Sequence, residues 1–194
     1  DLERGEHPLV ARVRDLPREP LLRLIQANRQ DQRISRYRTF EDLAAYCRLS
    51  ANPVGELVLH VLGAATPARV AWSDSICTGL QLAEHWQDVG EDRRAGRIYL
   101  PLEDLERFGV SEGFEPVEAF RELMRLEVER ARELLHEGLP LVASLRGRPR
   151  LAVAGFAGGG FAALDAVERS DYDVLERSPR ASRAERLVWA LRVA

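Results

Sequence analysis

The sequence predicts an all-α fold, on three observations. Apolar residues recur at helical spacing over long stretches: between Glu115 and Glu137 they fall at Phe120, Leu123, Met124, Val128, Ala131, Leu134 and Leu135, over about six turns. Helix-starting and helix-stopping residues bracket such stretches, with Pro20, Thr39 and Pro67 at starts and Gly96 and Gly109 at ends. No stretch alternates polar and apolar residues for long enough to be a strand. At 194 residues the chain reads as a single domain, residues 1–194, with a sizeable core, and 45% apolar with 30% charged residues is an ordinary soluble composition. The net charge of -3 and the absence of a basic run argue against nucleic acid as a partner. All 28 basic residues are arginine, which reads as compositional bias.

In chain order, the first twenty residues are charged and proline-punctuated, with a short helix predicted over Pro8 to Asp15. Pro20 opens a second, whose stripe of Leu21, Leu22, Leu24, Ile25 and Ala27 runs through about Ile34 and leaves Gln30, Asp31 and Arg33 as surface. Thr39 with Asp42 three residues on predicts a capped helix carrying Phe40, Leu43, Tyr46, Cys47, Leu49 and Ala51, kinked by Pro53. Ser50, Ala51 and Gly55 leave room beside that kink, filled either by a neighbouring helix or by a ligand; Val54, Val58 and Leu62 read as wall or core.

Pro67 starts the central helix, continued past Gln87 to Gly96, with Val70, Ile76, Leu80 and Leu82 on its buried side. Gln81, Glu84, Asp88, Glu91 and Asp92 then share one face. Three of the four acids fall near the C-terminal end, where the helix dipole disfavours carboxylates by a few tenths of a kcal/mol or more each. A hard cation is the functional reason for such a cluster, since Mg2+ takes carboxylate oxygens and is completed by water and substrate phosphate. Arg93, Arg94 and Arg97 follow, suited to bidentate phosphate contacts. The competing reading is a solvated polar face fraying into a Gly96 cap.

After a short extended segment, Arg97 to Leu100, Pro101 begins a helix over Leu102 to Phe108 whose acids Glu103, Asp104 and Glu106 are expected on the surface. The long helix after Glu115 is scaffold with Glu and Arg on its outer face, and His136 caps its end. Leu139 to Leu145 and Leu151 to Glu168 are the next apolar helices; the glycines of GFAGGGFAALDAVE allow close helix approach or line a tunnel. Arg180 to Val193 makes a last amphipathic helix. His7, His60 and His85 are isolated, and Cys47 and Cys77 read as buried thiols of a reducing, cytoplasmic compartment. No run reaches the roughly 18 to 20 apolar residues of a membrane span; the nearest, Leu151 to Leu164, is shorter.

The string DVGEDRRAGRIYLP, from Asp88 to Pro101, resembles the second aspartate-rich motif of the squalene/phytoene synthase family, and YCRLSANPVG, from Tyr46 to Gly55, resembles that family's tyrosine-bearing helix. Within the family, SDSICTGLQLAEHWQDV with Trp86-Gln87-Asp88 is most similar to bacterial hydroxysqualene synthases of hopanoid biosynthesis. The resemblance implies an isoprenoid synthase helical fold around a central cavity, with Mg2+ as cofactor and an isoprenoid diphosphate as substrate. It implies Asp88 and Asp92 as metal ligands with Glu84 and Glu91 assisting, and Arg93 and Arg97 on the diphosphate. Tyr46, Gln81 and Gln87 take catalytic or water-positioning roles, and Ser50, Ala51, Val54 and Gly55 line the isoprenoid channel.

The implied reaction converts presqualene diphosphate to hydroxysqualene. The alternatives are head-to-head joining of two prenyl diphosphates to squalene, dehydrosqualene or phytoene, and a non-catalytic relative serving as an interaction protein. Release of a lipid product leaves room for peripheral membrane association of a cytoplasmic protein. Glu84 stands where the family usually has asparagine. The first aspartate-rich motif is expected upstream of residue 1, so the resemblance spans the C-terminal two thirds of a typical member.

Overall fold

In a computed structural model describing residues 16–194, ten α-helices form the described fold, with no β-strand among those residues. The helix expected over Pro8 to Asp15 lies outside the described residues. Helix α1 (Arg18–Asp31) buries Ala27, but Leu22 and Ile25, expected in its buried stripe, are each 49% exposed. Helix α2 (Phe40–Ser50) starts in a complete capping box: Thr39 accepts from the Asp42 amide while the Asp42 carboxylate accepts from the Thr39 amide.

The chain breaks at Ala51, two residues before the proline, and resumes as α3 (Asn52–Val61) with Pro53 in its first turn. A proline there needs no amide partner, so its missing N–H costs no hydrogen bond.

Helix α4 (Pro67–Gln87) is the centre of the fold. Its most extensive neighbour is α7 (Val117–Gly138), and α3 and α9 (Gly147–Arg169) pack on other sides. The approach to α7 is close because Gly79 sits against Leu135 and the Ala131 carbonyl, and Gly138 against Ile76 and the Trp72 carbonyl. A Cβ at either position would push the helices apart. Two polar locks fix register: Thr78 donates to the buried Asn52 side chain at 2.9 Å, and Trp86 Nε1 donates to the Glu127 carbonyl at 2.9 Å.

Beyond α4 come α5 (Val89–Arg94), α6 (Leu102–Phe108) and α8 (Pro140–Ser144), with α10 (Arg183–Val193) last. Helix α9 is continuous through its glycines; Gly158 lies against the α10 backbone at Trp189–Ala190, and Gly160 against Leu80 and Leu135. It is the one helix among the described residues long and apolar enough to cross a membrane, with mean hydropathy 1.3 over its best window, of which 56% is buried in the fold.

Three expectations are corrected by the packing. Helix α4 does not continue to Gly96. Asp104, expected on the surface, is 2% exposed, and Glu127, expected on an outer face, is fully buried; both carboxylates meet Arg130, at 2.5 and 3.1 Å. Sequence shows the helical period but not which acid a partner arginine draws inward.

Candidate active site

The acidic turn forms at a helix break. Asp88 leaves helical geometry at φ -104° and ψ 12°, ending α4 and starting α5, so Glu91 and Asp92 stand in a separate six-residue helix. Gly96, at φ +81°, closes α5: its amide donates to the Arg93 carbonyl and the Arg97 amide to the Asp92 carbonyl, a Schellman termination that sends the chain back past the acids. Despite the break, Asp92 still feels the other acids. Asp92 has its pKa pushed up to about 6, first by burial and then by the charge of Asp88, with Glu91 and Glu84 adding and Arg97 opposing. That surplus of negative charge on oxygen donors suits a hard cation. Among the described residues no three His, Cys, Asp or Glu side chains converge as a ready metal cage.

A wall of aromatic rings stands beside Asp92. His85 is 6% exposed and stacks on Tyr99 with ring centroids 3.6 Å apart. Its Nε2 meets the Gln81 amide nitrogen at 3.1 Å, and its Nδ1 lies 4.0 Å from Asp92 Oδ2. Burial holds its pKa down to about 3, so the ring is neutral and the approach to Asp92 is not an ion pair. Tyr46 and Tyr37 extend the wall, with the Tyr46 ring 5.4 Å from Tyr37 and 6.2 Å from Tyr99. Burial, with Asp31 close by, raises the Tyr46 pKa well above the usual phenol, so it stays a neutral hydroxyl. Arg97 joins this group: it donates to the Asp31 carbonyl at 2.9 Å and reaches the Tyr99 hydroxyl at 3.5 Å. Asp31, expected at the surface, thus anchors Arg97, whose charge opposes the rise in the Asp92 pKa.

The structure divides the remaining expected residues. Arg93 turns away from the acids, its guanidinium 5.3 Å above the Phe114 ring, because residues one apart on a helical turn point in different directions. Gln87 donates to the Pro179 carbonyl. Asp88 accepts from Arg180 at 2.9 Å, and Glu91 from Ser178 at 2.8 Å. Val54 and Gly55 line an apolar cavity of about 140 Å3 with Ser73, Cys77, Leu80 and Phe156, among others. Ser50 is turned back onto the Tyr46 carbonyl, and Ala51 is buried at the helix break.

Sequence reasoning missed His85, Tyr99 and the 174–180 segment. The four-residue spacing of Gln81 and His85 was visible; Ser178 and Arg180, about ninety residues from the acids, had no local signal.

The all-α architecture, with its acids at a helix break beside an apolar cavity, is that of isoprenoid-handling helical enzymes. The Squalene/phytoene synthase family matches residues 4–189, and the chain belongs to that family. A squalene synthase HpnC from Alicyclobacillus acidocaldarius is 44% identical with a TM-score of 0.78, over 84% of this chain and 64% of that one. A phytoene synthase from Arthrospira platensis is 36% identical over 179 residues, 82% of this chain and 57% of the relative. A dehydrosqualene synthase in complex with ligand, at 24% identity and a TM-score of 0.85, shares the fold over 95% of this chain and 68% of that one. The chain thus spans about half the length of the curated relatives it matches, from 42% to 57%.

Proposed function

We propose that this chain carries the diphosphate-releasing side of an isoprenoid synthase, and that the protein converts presqualene diphosphate to hydroxysqualene. The observation that carries the reading is the gathering of Asp88, Glu91 and Glu84 charge about the half-buried Asp92 at a helix break, with an apolar cavity whose lining includes Leu80, about two turns back from Asp88. The Trp86-Gln87-Asp88 wording supports this branch.

Asp88 and Asp92 would hold the metal, with Glu84 and Glu91 beside them. A divalent cation, Mg2+ in this reading, neutralises the leaving diphosphate when bound. The carbon–oxygen bond of the substrate breaks with its electron pair leaving on diphosphate. Tyr99, Tyr46 and neutral His85 offer uncharged ring faces and exclude water, while the apolar cavity takes part of the hydrocarbon chain. Water captures the rearranged cation, its proton passing to solvent or diphosphate, and in this reading Gln81 would orient that water.

The second reading is head-to-head joining of two prenyl diphosphates, favoured by relatives named phytoene synthase. Incubating the full-length protein with presqualene diphosphate and Mg2+, then with prenyl diphosphates, and extracting lipids separates the two. Hydroxysqualene from presqualene diphosphate supports the first reading; phytoene or squalene from prenyl diphosphates alone replaces it with the second. No turnover and no Mg2+-dependent binding would leave a non-catalytic relative.

A further inference from the structure

The segment from Val174 to Arg180 straps across the acidic turn from one end to the other. The Gly90 amide donates to the Val174 carbonyl at 3.3 Å and Arg94 to the Leu175 carbonyl at 2.9 Å, while Ser178 holds Glu91 and Gln87 reaches the Pro179 carbonyl. These contacts pin the strap's backbone. Its last residue differs: the Arg180 side chain is 59% exposed and its guanidinium bonds Asp88 at 2.9 Å.

Among the arginines next to the acids, Arg93 lies over Phe114, Arg94 bonds a carbonyl and Arg97 is tied to Asp31. Arg180 alone of these four bonds a carboxylate of the turn among the described residues. It also lines a cleft of about 530 Å3 with Gln87, Arg186, Gly155 and Gly159, and that cleft shares Leu80 and Phe156 with the apolar cavity. A cationic cleft running into an apolar one has the shape of a diphosphate ester with a hydrocarbon tail.

Resting on the reading of the acids as a metal–diphosphate site, we propose that Arg180 is an exchangeable counter-cation. It holds Asp88 before the metal binds and moves onto the diphosphate once a divalent cation takes its place. An exposed ion pair is weak enough to yield to a divalent cation. The guanidinium fork it frees matches phosphate oxygens in bidentate fashion. Only the side chain need rotate, because the strap's backbone is held independently. No bond is made or broken in this exchange.

The test uses the full-length protein and calorimetric titration with Mg2+ alone, then with inorganic pyrophosphate at saturating Mg2+. Arg180→Gln should bind Mg2+ alone about two- to fivefold tighter, since its competitor is gone, and pyrophosphate about tenfold weaker. Arg180→Lys, which keeps the charge without the fork, should fall between. Arg183→Gln, an exposed change at the start of α10, should leave both affinities alone. Unchanged pyrophosphate affinity in Arg180→Gln, or weaker binding of Mg2+ alone, overturns the inference while leaving the site intact. Absence of pyrophosphate binding in the unsubstituted protein overturns the reading of the acids and this inference with it.

Discussion

Replacing Glu127 by glutamine isolates one buried electrostatic cost that the structure allows to be worked out. Glu127 is fully buried, Arg130 donates to its Oε1 at 3.1 Å, and its Oε2 has no partner. Asp104 shares the same guanidinium at 2.5 Å, so one positive charge serves two buried acids and Asp104 has the shorter contact. Burial first, then the Asp104 charge, push the Glu127 pKa up to about 8 from 4.5, against the opposing pull of Arg130.

An acid with a raised folded pKa keeps its proton longer in the folded than in the unfolded chain. Its stability contribution therefore falls as pH rises from about 4.5 toward 8. At about 1.4 kcal/mol per pH unit, the loss between pH 5 and pH 7 is about 2–3 kcal/mol. Glu127→Gln keeps the acceptor for Arg130 and removes the titration, so the variant should gain that amount on the parent over the interval, about 4–12 °C in Tm for a chain of this size. Urea unfolding at several pH values measures it. Parallel pH profiles for parent and variant would refute the argument that Glu127 is the strained acid.

Asp92→Asn should remove Mg2+-dependent pyrophosphate binding while leaving helical circular dichroism unchanged; binding at parental affinity would take the metal role from this turn. Glu84→Asn, the change toward the asparagine that the family resemblance implies, should hold or raise turnover, and a loss of turnover would make Glu84 itself a ligand. Gly90→Ala should unseat the strap, because an added Cβ meets the Leu175 backbone. Faster proteolysis within residues 174–180 and weaker pyrophosphate binding are expected, and unchanged cleavage would show that the strap is not held there.

The long scaffold helices were legible from periodicity, and the Thr39 box and the Gly96 and Gly109 terminations from single residues, because capping depends on neighbours within one turn. The acids were legible as a group for the same reason. Their arrangement was not: DVGEDRR continues a helical pattern, and only the closing of α5 against the strap shows a break at Asp88. The expected channel residues divided likewise. Val54 and Gly55 reached the cavity because α3 begins afresh after Ala51, whereas Ser50, one turn after Tyr46, turned back onto that residue's carbonyl.

Local order along the chain thus determined the helices, most of their ends, the acidic turn and the family. Which acids are buried, which arginine faces Asp88, and how His85 comes to lie on Tyr99 were decided in three dimensions. Those outcomes depend on the exchange of water for a specific partner, and the partners come from helices tens of residues apart.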